Sequence, residues 1–348
     1  MVAHPQRTHA RQPTGRAGPI LGVLGAIVLV AMFLACVGSL PWTLGRDTSG
    51  SGAPGANPPR RYEAIDLSRI LLPPFWAPHA PDERTRRDEA ADRGEPVRMV
   101  LGSDRLGRDL LARCLVGGGI SLGIGLAAAA IAVVIGTTWG TVAGYLGGQT
   151  DAVLMRIVDI LYGLPSILLV VLLAVASDGL IERRGGDMGP GLRELINVAT
   201  LLVAIGGVSW LTMARVIRGQ VLSLREQPFM EATRAIGVPL HRQFTAHLLP
   251  NLLGPIIVYA TLAVPAAILS ESFLSFLGIG VREPLPSWGN LAAAGLSELN
   301  TVRVRWWLLF WPCLFIGITL LSLNFVGESL RIAMDPRKSK TVRSAAAN

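Results

Sequence analysis

Charge is scarce in this sequence, and so are the residue types on which catalysis usually depends. Only 16% of the 348 residues are Asp, Glu, Lys or Arg, and Lys occurs just twice, at Lys338 and Lys340. Five histidines stand apart from one another, at His4, His9, His79, His241 and His247. The three cysteines, Cys36, Cys114 and Cys313, have no metal-ligand spacing, which excludes a clustered Cys/His metal site. Each reads as a small apolar residue. No Gly-x-x-x-x-Gly-Lys-Ser/Thr string occurs, so no P-loop of this chain cradles a nucleotide phosphate, and His-Glu-x-x-His is absent too. No catalytic residue, metal site or bound cofactor is expected, so energy for any work must come from a partner or an ion gradient.

What the sequence has instead is apolar length. Hydrophobic residues make up 51%, and the mean hydropathy is +0.47, values of a multi-span membrane protein rather than a soluble domain. The net charge of +8 does not indicate a nucleic-acid partner, because the basic residues fall largely where the positive-inside rule places them. Pro19 to Leu40 is charge-free and long enough to span, where a signal peptide has a shorter apolar region of about 7–15 residues. Residues 1–18 are therefore expected in the cytoplasm, and 19–40 form the first span. Residues 41–115 carry 12 Arg against 11 acids. They read as an extracytoplasmic loop, disordered over much of the Gly/Pro/Ser-rich 44–60. Cys114 to Thr150 holds no charge over 37 positions, more than one span needs. Within it Gly136, Gly140, Gly144 and Gly148 form a stripe of the kind that lets helix backbones approach inside a membrane.

Further spans are expected at about 116–145, 157–176, 195–214, 252–277 and 306–326. Pro165 marks a kink, and the spacing of Arg156 and Asp159 suits an ion pair. Arg282 to Arg305 reads as an outside loop, followed by Trp306, Trp307 and Trp311 as an aromatic belt. The tail 328–348 is basic and expected inside. Glu271 is the one charged residue of the 252–277 run. A carboxylate there must be paired, protonated or facing water, so with Ser272 it either lines a translocation path or fixes helix packing.

One polar stretch between spans is too long for a mere connector. Residues 215–250 carry five Arg against two Glu, and about 35 residues with structure of their own mark a docking element. Pro228 suits a first helical turn. Phe229, Ala232, Thr233 and Ile236 share a face at helical spacing, and Gly237 is a stop. A second short helix should begin at Pro239 and end before Pro250.

Glu231-Ala232-Thr233, Gly237 and Leu249-Pro250, in that order and spacing, resemble the EAA loop of ABC-type import permeases, with Thr233 where the pattern has its second Ala. Leu101-Gly102-Ser103-Asp104 with Leu106-Gly107-Arg108-Asp109 resembles the G-T-D-x-x-G-R-D segment of the dipeptide/oligopeptide/nickel branch. Glu271 to Gly278, Pro284 to Gly289, and Leu330 to Arg337 resemble further strings of that branch, the last with Ile332 in place of Asp. The resemblance covers about 101 to 337. It implies an all-α type I importer fold with six transmembrane helices, both termini cytoplasmic, a transmembrane domain over 116–327 and an inner or plasma membrane location. It implies a second homologous permease subunit, two cytoplasmic ATPases that use ATP and Mg, and an extracytoplasmic solute-binding protein. Phe229 to Gly237 would couple ATPase motion to alternating access. Glu231 would be the polar contact, Ala232 the close-packing position and Gly237 the turn, with Leu249 and Pro250 closing the loop. Di- or oligopeptides, nickel and other small solutes all fit the pattern. A gradient-driven secondary transporter is the rival from another class.

Overall fold

In the computed structural model, residues 17–46, 58–92, 99–184, 189–299 and 303–334 are described. The described residues are helical, with three isolated bridges and no strand among them. The first helix, α1 (Ala17–Gly38), is followed by the single turn α2 (Leu40–Thr43). A short 3-10 turn at Leu67–Arg69 and α3 (Pro81–Asp92) precede the long α4 (Leu110–Leu146). Then come α5 (Gly148–Tyr162), α6 (Ser166–Arg184) and α7 (Pro190–Arg225). Two short helices, α8 (Pro228–Ala235) and α9 (Leu240–Arg242), lead into a π-helical turn at Gln243–Leu248. The last described elements are α10 (Leu249–Phe276), α11 (Trp288–Leu296) and α12 (Trp306–Ala333).

Five of these segments are long and apolar enough to cross a membrane: Pro19–Thr43, Leu110–Leu146, Glu194–Arg225, Leu240–Phe276 and Trp306–Ala333. Gly148–Tyr162 and Ser166–Ala176 pass the same test only together, with an 86° bend between them. The bend falls at Gly163-Leu164-Pro165, where Pro165 cannot donate a backbone hydrogen bond. The expected span 157–176 is thus two helices meeting at an elbow. At 1.5 Å per residue α4 is about 55 Å long, against a hydrocarbon core of about 30 Å, so it projects well beyond the bilayer.

The centre of the molecule is the α4–α7 pair, and small residues make it close. A Cβ at Gly136 would stand 2.5 Å from Met213 Cβ, one at Gly140 2.4 Å from Ala214 O, and one at Gly144 2.9 Å from Val221 Cβ. Gly148 is not part of this stripe. The helix breaks at Gly147, whose φ is +68°, and nothing lies within 4 Å of a Cβ placed at Gly148. The four-residue spacing continues past the helix that gives it meaning.

Three other expectations change. Arg282 to Arg305 is not loop throughout: Ser287 starts α11 with a capping box. Its Trp288 is buried and donates from Nε1 to Cys114 O at 3.0 Å. Of the three tryptophans, Trp307 turns into the core beside Leu101 and Leu110, while Trp306 and Trp311 cluster with Trp76. Pro250 does not end a helix. It sits in the first turn of α10, where a missing N–H costs nothing, and the π turn carries the chain into it. Of the stretch expected to be disordered, residues 47–57 lie outside the described residues, as do Asp335, Pro336 and Arg337 of the closing string. Among the cysteines, Cys36 and Cys114 are buried and Cys313 is exposed, all as free thiols.

Candidate coupling surface and cavity

Helix α8 follows α7 after only Glu226 and Gln227. Pro228 occupies its first turn, and its end is a Schellman motif: Gly237 N–H donates to Arg234 O and Val238 N–H to Thr233 O, each at 3.0 Å. Gly237 has φ +75°, a conformation glycine takes at no steric cost. The buried side of α8 is Met230 and Thr233. Met230 enters a cluster with Ile217 and Val221 of α7, Leu248 at the end of the π turn and Leu252 in the first turn of α10. Thr233 donates from Oγ1 to Met230 O at 2.8 Å, which satisfies its hydroxyl locally.

The face expected from spacing therefore splits. Thr233 turns inward with Met230, while Phe229, Ala232 and Ile236 stay exposed with Glu231. Ile236 is 78% exposed and Leu240 63%. Leu249 is half-buried and Pro250 exposed; Leu248 is the residue that reaches the core. Met230 falls outside the spacing argument, because it lies about 100° around the helix from Phe229. Gln243 is another residue that sequence reasoning passes over. It is buried, accepts from Tyr145 OH at 2.6 Å and donates from Nε2 to Val238 O at 2.6 Å. It thus ties the loop after α8 to the end of α4. A lone Gln in a polar loop carries no sequence signal for such a role.

Beside this surface α7 presents three arginines. Arg218 forks onto Asp151 of α5, Nε to Oδ1 at 2.5 Å and Nη2 to Oδ2 at 2.6 Å. Arg215 donates to Asp159 Oδ1 at 2.7 Å and lies 3.9 Å from the centre of the Tyr162 ring. Asp159 thus pairs across helices with Arg215, a partner that the Arg156 spacing does not reveal. Arg225 donates to Gly144 O at 3.4 Å.

A cavity of about 460 Å³ opens between α4, the α5–α6 elbow, α7 and α10. Its lining has hydroxyls from Tyr162, Ser166, Ser209, Thr212, Tyr259 and Ser270 amid apolar side chains, and no charged residue among the described residues. Glu271 is the next residue after Ser270 but turns away from it. It is 0% exposed, accepts from Ser275 Oγ at 2.8 Å and Ser272 Oγ at 3.3 Å, and also has the hydroxyls of Ser121 and Ser287 as hydrogen-bond partners. Four hydroxyls from α4, α10 and the α11 cap thus surround one carboxyl group, a fully partnered buried polar cluster. Ser272 is buried in the same cluster, and α11 approaches so closely that a Cβ on Gly289 would stand 2.3 Å from Ser272 O. Ser121 itself lies in a Gly119-x-Ser121-x-Gly123 string. The string is inside α4 rather than on the strand-to-helix turn that exposes a nucleophile, and Ser121 is buried.

The far end of α4 is a polar knot. Asp109 caps α4, accepting from Leu111 N–H at 2.9 Å. Burial pushes its carboxyl above the usual range, with the backbone N–H groups of Leu111 and Ala112 opposing. Asp104 accepts from the backbone N–H groups of Leu106 and Arg108 and from Arg108 Nε at 2.6 Å. Arg113, 2% exposed, bridges Asp104 at 3.0 Å and Glu283 at 3.1 Å. Gly107 has φ +72°, and a Cβ there would lie 1.8 Å from Asp66 O. Ser103 donates to Arg69 O. Each polar residue of the Gly-Ser-Asp…Gly-Arg-Asp string thus has a structural task.

Comparison with known proteins places the chain in a family. The family described as "Binding-protein-dependent transport system inner membrane component" matches residues 136–340. The oligopeptide transport system permease protein OppC of Haemophilus influenzae is 43% identical over 68% of this chain and 70% of its own length. The dipeptide transport system permease protein DppC of Bacillus subtilis is 40% identical over 77% of each. The OppC protein of Escherichia coli K12 is 46% identical over 68% of this chain and 72% of its own. With a matching family over more than half its length and relatives this similar, the chain belongs to the inner-membrane permease components of binding-protein-dependent transport systems.

Proposed function

We propose that the chain is one of two membrane subunits of an ATP-driven importer of di- or oligopeptides. The observation that carries this reading is α8: a short helix pinned from behind by Met230 and Thr233 while Phe229, Ile236 and Leu240 face outward without cover. An apolar patch beside polar Glu231 at a membrane protein's edge suits a partner's groove. In this reading the partners on that side are two ATPases, which use ATP and Mg. A second homologous permease completes the pathway, and a solute-binding protein delivers substrate to the opposite side. Counting the elbow pair as one span gives six, with both termini in the cytoplasm, as the arginines at the end of α7 favour. ATP-driven closure of the ATPases moves α8, and the bundle alternates between inward and outward access.

The relatives named above are oligopeptide and dipeptide permeases, and the cavity suits such cargo. Hydroxyls can pair with peptide groups whatever the side chains, and an uncharged lining neither selects nor rejects a particular side-chain charge. The caged position of Glu271 favours a packing role over one in an ion-coupled path. The test is a mild-detergent pull-down of the tagged chain with ATPase and peptide-uptake assays. Recovery of two P-loop ATPases and a second permease, with uptake that needs ATP, is the expected result. Recovery of the chain alone, or uptake that survives ATPase loss and collapses with an uncoupler, would overturn the reading.

A further inference from the structure

The elbow helix α5 has a peculiar balance of contacts. Val158 is its only buried residue, while Val153, Ile157 and Ile160 are exposed. Val158, with Met155 and Leu161 beside it, seats one side of α5 on the core, and Trp139 of α4 donates to Leu154 O at 3.2 Å. Two ion pairs tie it to α7: the forked Asp151–Arg218 pair and the Asp159–Arg215 pair. A forked guanidinium–carboxylate contact fixes orientation as well as distance.

The positions of these pairs give them a consequence. On one side, Arg215 and Arg218 flank Ile217 in α7, and Ile217 packs in the cluster that holds Met230 of α8. On the other, Asp159 lies one turn before the elbow, and Arg215 also stacks on Tyr162, which lines the cavity with Leu164 and Ser166. A continuous chain of packed or ion-paired groups thus runs from α8 through α7 to the cavity wall. Beside the apolar contacts of Met155, Val158 and Leu161, the pairs are its charged, directional link.

We infer that Asp151–Arg218 and Asp159–Arg215 are positioning pairs that make the α5–α6 elbow follow α7, so that motion of α8 reaches the cavity wall. The inference rests on the reading of α8 as the ATPase contact and of the cavity as the substrate path. Neither pair touches substrate or nucleotide. With the pairs cut, α8 still docks and ATP is still hydrolysed, but the elbow no longer moves with α7.

The test uses the whole complex in liposomes: this chain, its permease partner, both ATPases and the binding protein. The cargo is a mixed-sequence library of di- to pentapeptides read by mass spectrometry. Asp151→Asn, Arg218→Gln and Asp159→Asn are expected to keep full ATPase co-purification and to hydrolyse ATP at near the unmodified rate. Peptide imported per ATP should fall more than tenfold for the two that cut the forked pair, and less for Asp159→Asn. The double swap Asp151→Arg with Arg218→Asp should recover at least a third of the lost coupling. A loss of threefold or less on cutting the forked pair, or a fall in import that tracks lost ATPase binding, overturns the inference. So does a swap no better than the single variants, which also decides the case if a single variant fails to fold. Failure of the underlying reading looks different: the unmodified chain itself then recruits no ATPase, and the inference falls with it.

Discussion

The two ends of α4 are built differently. At the Asp109 end, charged groups pair within the chain: Asp104, Arg108 and buried Arg113 form one ionic knot with the half-exposed Glu283, and Ser103 and Asp109 are hydrogen-bonded to backbone. At the Leu146 end, apolar groups are left uncovered: Phe229, Ile236 and Leu240 project from α8 and the turn after it. Both ends expose apolar side chains, Leu67, Phe75 and Trp76 at the first and Ile236 and Leu240 at the second, but only the first carries a charged knot closed within the chain. The difference separates residues whose loss unfolds the protein from residues whose loss leaves it folded and idle.

The largest effects should come from breaking the parts closed within the chain. Gly107→Ala combines a positive φ with a collision against Asp66 O, and Gly140→Leu drives a side chain into the α7 backbone at Ala214. Each should lower the yield of monodisperse protein in detergent several-fold, and a normal elution profile would show that the site relaxes. Next comes Met230→Ala, which empties the pocket behind α8. Loss of a buried Met costs about 2–5 kcal/mol in a well-packed core, so α8 should become protease-sensitive before the spans do. Arg113→Ala removes a buried cation and the space it fills; Asp104 and Glu283 keep Arg108 as a partner, so its yield should fall less. The expected cost is about 1–3 kcal/mol, that of losing charged hydrogen bonds rather than of orphaning a buried charge.

Breaking the exposed face of α8 should look different. Ala232 is exposed, so Ala232→Trp meets nothing inside the chain, yet it should abolish uptake by blocking the partner's approach. Gly237→Leu also has open space around it. Its cost is the left-handed conformation, about 1–2 kcal/mol, and uptake should be lost with the protein still in the membrane. Ile236→Asp should weaken ATPase co-purification at least tenfold. Normal uptake by all three would remove α8 from the coupling role and erase the contrast between the two ends.

Spans were legible from apolar length, because every backbone group in a bilayer must be satisfied within a helix. The α8 helix was legible from Pro228 and Gly237, since both act through local backbone geometry. Its inward side was not: Met230 is chosen by Val221 and Leu248, which only the tertiary fold brings near. Periodicity gives a helix two candidate faces and does not say which is covered. The same limit hid Arg215–Asp159, where sequence spacing offered Arg156, and α11, whose capping signal Ser287–Asn290 is sound but sits in a segment short enough to pass for loop. Gly148 shows the converse error, a spacing that outlives its helix.

The smallest effect belongs to a pair that joins neither end firmly. Asp82 at the start of α3 receives both terminal nitrogens of Arg303, at 2.7 and 2.9 Å, on the surface. The Arg303 hydrogen bonds hold the Asp82 carboxyl below its ordinary value of 3.8. A depressed carboxylate contributes stability that is present above its unfolded value and lost as pH falls through the folded one. Any weakening of α3 docking from this pair must therefore appear below about pH 4 and leave neutral behaviour untouched. Solvent screens so exposed a pair, so Asp82→Asn should nearly match the parent in thermal stability and uptake at pH 7, and the slightly readier cleavage of α3 that it causes there should vanish below about pH 4, where the parent's carboxyl is protonated too. A clear loss at neutral pH would mean that α3 is held in place for a partner on that side, and that the Asp109 end is less closed than its ionic knot implies.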